Sequence, residues 1–337
     1  MARETGFRPI NRLCNRTIRV LWRLAGGPPG YRFVRPVRPL WDDAVVMMNG
    51  QVAAILRWYA SHARDLPWRR PDAGPWAVLV SEVMLQQTPV ARVLPAYEAW
   101  LARWPVPAAL AADSPADAVR QWGRLGYPRR AVWLHATARL IAERHGGTVP
   151  SSVAALRELP GVGSYTAAAV ASFAYGQRHA VLDTNVRRVL ARLVSGVSRP
   201  GTSPTTMEVK LAESLLPAEP GLAPRWSVAV MELGALVCTA DRPRCADCPV
   251  VTTCAWHRAG SPSPEAGQAR RSQGYEGTDR QCRGRLLAVL RDCDEPVPAA
   301  RLDAAWPDPQ QRDRALASLV ADGLAEPLPG DRYALPR

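Results

Sequence analysis

The stretch LPGVGSYTAA, residues 159–168, sets Gly161 and Gly163 around a valine, between two helix-like segments, ALREL and SYTAAAV. Backbone amides left bare in such a turn, or at the start of the helix that follows, form a ready site for a phosphate oxygen. No Lys-Ser/Thr pair follows the glycines and no strand precedes them, so this is not a Walker loop. On spacing alone, the alternative is an ordinary turn between helices with glycine at a left-handed position. A second segment, CTADRPRCADCPVVTTC, spaces Cys238, Cys245, Cys248 and Cys254 as C-x6-C-x2-C-x5-C. Four thiolates this close together suit a [4Fe–4S] cube, which takes one sulfur per corner iron. Structural zinc is the second reading, although such sites usually pair two separated C-x2-C knuckles or recruit histidine. Free or disulfide-linked thiols are the third.

These residues need elements to hold them. From about residue 49 to about 237, apolar residues recur at spacings of three and four, with Pro or Gly at the breaks, as in QVAAILRWYASHA, PVARVLPAYEAWLARW and NVRRVLARLV. No alternating strand series interrupts them, so the expected body is all-α, closed by the cysteine loop at 238–254. A Gly/Ser/Pro-rich linker is expected over 257–279. After it come three helical segments, GRLLAVLRD, AARLDAAW and PQQRDRALASLVADG, and a short two-stranded end turning at Pro329–Asp331. That is the order of a winged helix, with a plain helical cap as the alternative for 280–337.

The chain has 337 residues, is 47% apolar and carries a formal charge of +13. The first forty residues hold nine arginines against one acid, Glu4, so much of that excess sits ahead of the patterned region. Such a balance permits a polyanionic partner without requiring one. Residues 1–46 are expected to be a basic, disordered extension outside the fold, with Met47 and Met48 as alternative starts. Lys210 is the only lysine, which leaves a single candidate for any Schiff-base chemistry. Four of the seven cysteines are clustered and the rest scattered, a usage that fits a reducing compartment such as the bacterial cytoplasm. No apolar run approaches the roughly 20 residues a membrane span needs.

Taken together, SEVMLQQTPV (81–90), GRLGYPRRAVWLH (123–135), LPGVGSYTA, LDTNVRRVLAR (182–192) and the cysteine spacing closely resemble the MutY-type adenine DNA glycosylases of the helix-hairpin-helix superfamily. The resemblance runs from about residue 50 to 256, with the motifs in order. It implies two helical subdomains clasping a cleft over residues 47–256, a [4Fe–4S] loop, and a hairpin in which Gly161 and Gly163 hold the DNA backbone. The implied partner is double-stranded DNA bearing an A:G or A:8-oxoG mispair, met by a monomer. The implied reaction is hydrolysis of the N-glycosidic bond of the extruded adenosine.

By this resemblance Glu82 is the general acid. If its segment is helical, Val78, Leu79 and Leu85 share its face, and an apolar setting keeps a carboxyl protonated. Asp183 is the second carboxylate, beside the developing cationic sugar, although LDTN ahead of VRRVL also reads as a helix N-cap. Asn185 helps to order that site. Tyr165 stands where strand-cleaving relatives carry a nucleophilic lysine, which implies a glycosylase without lyase activity. Gln86 and Gln87 match DNA contacts around the mispair, Tyr127 an aromatic wedge, and Trp68 and Arg69 the adenine pocket.

Two features depart from the family. Val228 stands where many relatives have Gln or Glu, and the residues after Cys254 read as helical where relatives commonly carry a β-rich, Nudix-like domain. The resemblance therefore does not extend to a preference for 8-oxoguanine over guanine. An endonuclease III-like glycosylase-lyase and a non-enzymatic iron–sulfur DNA-binding regulator are the competing readings.

Overall fold

Helices with one apolar face must bury it, and here they do so around two cores. The structure, a computed structural model, describes residues 40–219, 221–263 and 274–337. The disordered character expected for 1–46 falls, as far as residue 39, outside the described residues, as does the 264–273 part of the expected linker.

The first core gathers α2 (Pro75–Leu85), α3 (Val90–Arg103), α4 (Pro107–Ala112), α5 (Pro115–Trp122), α6 (Arg129–Arg144), α7 (Val153–Arg157) and α8 (Ser164–Tyr175). Local chemistry starts and stops several of them. Pro75, Pro107 and Pro115 take first-turn positions, where their missing N–H costs nothing. Ser114 and Asp117 form a reciprocal capping box at the start of α5, and Gly176, at φ 68°, ends α8. Trp100 anchors the packing, edge-on to Trp104 at 4.6 Å and to Trp122 at 5.6 Å.

The second core is built by α1 (Leu40–His62), α9 (Thr184–Leu190) with a π-turn at Ala191–Ser195, α10 (Thr206–Leu215) and α11 (Leu222–Leu236). A Cβ on Gly234 of α11 would lie 2.7 Å from Asn185 Cβ, so only glycine lets α9 approach α11 this closely. The cysteine loop and α12 (Ala255–Arg258) follow α11.

The C-terminal elements are α13 (Asp279–Arg291), β1 (Val297–Pro298), α14 (Ala299–Asp303), α15 (Pro309–Ala321), β2 (Glu326–Leu328) and β3 (Arg332–Ala334). The strands form an antiparallel sheet in the order β1-β3-β2, pairing Val297 with Tyr333 and Leu328 with Arg332, which is a winged-helix arrangement. The sequence reading missed β1 because two residues, one of them proline, carry no periodicity. This unit is docked. Leu286, Leu287 and Leu290 join the first core, Arg291 Nε donates to the Val119 carbonyl at 3.0 Å, and Arg120 Nη2 to that of Cys293 at 3.0 Å. No described helix is long and apolar enough to cross a membrane.

Candidate active site

A cleft of about 1260 Å³ opens between the two helical cores. Glu82 reaches it from α2 and Asp183 from the start of α9, so each core contributes one carboxyl group. Helical spacing puts Val78 and Leu85 on the cleft beside Glu82, with Leu79 fully buried behind. Burial is the main force lifting the Glu82 carboxyl to about 7. The Tyr165 hydroxyl, in hydrogen-bonding reach, and the Arg69 charge oppose that rise, while the Asp183 charge adds to it. Burial also raises Asp183, against the bonds it accepts from the Val186 amide at 2.6 Å and from Asn185 Nδ2 at 2.8 Å. Asp183 is therefore both an N-cap and a cleft carboxyl, because one oxygen caps α9 while Asn185 holds the other.

The hairpin closes the same cleft. Gly161 adopts φ +75°, and a Cβ there would lie 2.9 Å from the Trp133 ring, so both the backbone and the close packing require glycine. Gly163 precedes α8 with no side chain capping its first turn, and Gly161, Gly163 and Ser164 are exposed along the cleft wall. Their amides are thus available to an anion. Tyr165 follows directly. Its hydroxyl is raised well above the usual phenol range by burial and by the two carboxyl groups, so it stays a neutral donor. Lys210, the sole lysine, is exposed on α10 and is not part of the cleft lining.

At the cleft's other rim stand Gln86 and Gln87, whereas Tyr127 does not line the cleft and stands in a neighbouring groove that these two glutamines also border. Gln87 at φ 55° and Tyr127 at φ 48° both hold left-handed backbone, a strained state for side-chain-bearing residues that clusters at functional sites. Buried Arg130 holds them there. It donates to the carbonyls of Val83 (2.8 Å), Gln86 (2.6 Å) and Gly126 (3.0 Å), tying the end of α2 to the Gly126–Tyr127 turn. Trp68 is buried, edge-on to Tyr97 at 5.1 Å, and also borders the cleft, so a core role and a pocket role coexist. Arg69 pairs with Glu232 at 2.9 Å, and its Nη1 is buried without a hydrogen-bond partner. Glu232, on α11 and wholly buried, also binds Arg64 at 2.7 Å. Burial alone would raise its carboxyl, but the two guanidinium groups outweigh that and hold it at about 2. Val228 lines the cleft too and brings no polar group to it.

Sequence reasoning missed Arg130, Arg64 and Glu232. Arg130 lies inside one of the quoted motifs, yet nothing local marks an arginine that will cap a helix from another segment. Arg64 and Glu232 come from opposite ends of the body, and no periodicity links them.

The cysteine loop lies behind α9. The four thiols sit near enough to affect one another: burial and the other three drive Cys248 up to about 11. Arg192 Nη1 stands 3.4 Å from Cys238 Sγ, a cation beside sulfur, and Arg192 also donates to the carbonyls of Thr239 and Ala240. Arg188 bonds the Cys238 carbonyl at 2.7 Å and Asn185 Oδ1 at 2.7 Å, which links the loop to Asp183 through two side chains. Among the described residues no three His, Cys, Asp or Glu side chains converge on a single-ion position, and the described cysteines are all free thiols.

Residues 80–215 match the HhH-GPD superfamily base excision DNA repair proteins. The chain is 55% identical over 283 residues to an adenine DNA glycosylase of Mycobacterium tuberculosis, covering 84% of this chain and 92% of that protein. It is 52% identical to the adenine DNA glycosylase of Mycolicibacterium smegmatis, covering 83% and 94%. Among solved structures, a thermostable thymine-DNA glycosylase superposes with a TM-score of 0.59 at 27% identity, over 64% of this chain and 99% of that one.

Proposed function

Because the chain belongs to the MutY-type adenine DNA glycosylase family of HhH-GPD base excision repair proteins, we propose that it removes adenine from A:G or A:8-oxoG mispairs in double-stranded DNA without cutting the strand. The observation that carries this reading is the facing pair in the cleft, Glu82 with its carboxyl at about 7 and Asp183 across from it, with no lysine between them. Glu82 gives its proton to the departing adenine, and Tyr165 holds the carboxyl by its hydroxyl. Asp183 stabilises the cationic sugar, and water completes the exchange. Asn185 fixes the Asp183 rotamer. Arg69 offers its unpartnered Nη1 to a ring acceptor of adenine, oriented by Glu232, and Trp68 supplies an apolar wall. Gly161 and Gly163 grip phosphate, Gln86 and Gln87 contact the mispair, and Tyr127, which is 47% exposed, fills the gap left by the extruded nucleotide. The enzyme acts as a cytoplasmic monomer, with residues 47–256 as the glycosylase domain, 257–279 as linker, 280–337 as a winged-helix-like domain and 1–46 as an extension.

The decisive assay uses duplexes with adenine opposite guanine or 8-oxoguanine. Free adenine is expected, with strand breaks appearing only after alkali and no adduct trapped by borohydride. Spontaneous breaks or a trapped adduct would restore the lyase reading.

We also propose that Cys238, Cys245, Cys248 and Cys254 hold a [4Fe–4S] cluster. Four mutually close thiols, with the guanidinium groups of Arg188 and Arg192 to offset anionic charge, suit one thiolate per corner iron. When bound, such a group would hold the four loop cysteines to one another through iron–sulfur bonds, while the hydrogen bonds of Arg188 tie the loop to α9. Purified protein is expected to be brown and to contain iron and acid-labile sulfide in equal amounts, roughly four of each per chain. Colourless protein with stoichiometric zinc would refute the assignment.

A further inference from the structure

A second groove, of about 1380 Å³, lies between the first helical core and the winged-helix unit, and it shares Gln86 and Gln87 with the catalytic cleft. Nine arginines line it against two aspartates, Asp292 and Asp322. Asp322 is already committed to Arg129 at 3.2 Å and to Arg283 at 2.6 Å. Among the described residues no carboxylate lies within ion-pair distance of Arg92, Arg124, Arg280 or Arg285. Arg120, Arg130 and Arg291 bond backbone carbonyls, but the crowding of like charge is itself unfavourable, and a polyanion would relieve it.

One face of α13 forms the groove's far wall. Arg280, Gly284, Leu287 and Arg291 recur there at helical spacing. Gly284 leaves the wall open: a Cβ there would lie 3.3 Å from the Tyr275 hydroxyl. Arg280 bridges the two walls, its guanidinium 5.6 Å from the Tyr127 ring and 5.9 Å from that of Tyr275, while Arg130 approaches Tyr127 from within at 5.2 Å.

We propose that this groove holds the phosphate backbone of the strand opposite the extruded adenosine, so that the winged-helix unit is the second half of the DNA clamp. The proposal rests on the reading above, in which the adenine strand enters the cleft between Glu82 and the hairpin. The groove begins at the Gln86–Gln87 corner, with Tyr127 in its own wall, and so lies on the side of that corner away from Glu82, where the partner strand of a duplex opened at the corner runs. Its charged groups are mostly guanidinium, the type of contact that goes to phosphate, so it positions DNA on its backbone.

The test is the double variant Arg280→Ala/Arg285→Ala in the full chain, both residues being exposed. Affinity is measured on a duplex carrying a non-hydrolysable adenosine analogue, over a salt series. Losing two phosphate contacts should lower the slope of log affinity against log salt by about 2, so the gap to wild type shrinks roughly tenfold from about 50 to about 200 mM salt. Single-turnover excision at saturating enzyme should fall far less than affinity does, and the ratio of A:G to A:8-oxoG activity should stay the same. Methylphosphonates in the opposite strand should weaken wild type more than the double variant. A control, Arg301→Ala/Arg332→Ala, removes the same charge outside the groove and should leave the slope alone. Equal slope loss in control and variant, or methylphosphonate sensitivity confined to the adenine strand, would overturn the proposal. Adenine release by wild type, measured alongside, tests the cleft reading separately.

Discussion

Glu82→Gln is expected to bind mispaired DNA, to lose excision by at least about 10²-fold, and to be more stable than wild type above neutral pH. The three outcomes share one cause. A glutamine fills the same space but carries no transferable proton, so binding survives and the departing adenine leaves unprotonated. The stability effect follows from the raised carboxyl, about 7 in the fold against an ordinary 4.5. The folded state holds the proton more tightly than the unfolded chain, so its stability is fully present below pH 4.5 and is lost as pH rises through 7. At about 1.4 kcal/mol per unit, the loss above pH 7 is on the order of 3 kcal/mol, and a neutral amide avoids it. Thermal melts at pH 5 and pH 8 check this: the variant's advantage should appear only at the higher pH. For the same reason wild-type single-turnover rates should fall as pH rises through about 7. Excision at the wild-type rate by the variant, or an equal stability change at both pH values, would remove Glu82 from the acid role.

Asp183→Asn is expected to cost roughly 10²- to 10³-fold in single-turnover excision, the range typical of a fixed group removed from beside a developing charge. Asparagine caps helices as well as aspartate does, so α9 should keep its start. The new amide has a single acceptor oxygen for two donors, the Val186 amide and Asn185 Nδ2, and one bond worth about 1 kcal/mol is given up. A second readout separates electrostatics from misfolding. The Asp183 charge helps to lift the Glu82 carboxyl, so in the variant the alkaline limb of the pH–rate profile should move to lower pH. Full turnover, or an unmoved limb in an otherwise inactive protein, would show that Asp183 serves only as a cap.

The lobe-bridging pair of Arg64 and Arg69 on Glu232 completes this picture from the α11 side. A carboxylate held near 2 stays ionised throughout the range in which Glu82 titrates, so one buried acid steadies the pocket while the other exchanges its proton. The contrast is one of neighbours: Glu232 has two guanidinium groups in contact, and Glu82 has a tyrosine and an aspartate.

Local chemistry was readable from residue order. Ser114 with Asp117 and Thr205 with Glu208 are capping boxes in one dimension as much as in three. Gly161 marks its turn, the three- and four-residue spacing around Glu82 marks an apolar face, and the cysteine spacing marks a thiolate set, because each depends only on neighbours within a turn or a short loop. Tertiary structure alone decided that Glu82 and Asp183 share a cleft, that Arg130 fastens the α2 end to the Tyr127 turn, and that Arg64 and Arg69 meet Glu232. It also decided that scattered arginines from two units line one groove. Those outcomes depend on which helix faces close on each other, and burial and charge pairing between distant segments leave no period in the sequence.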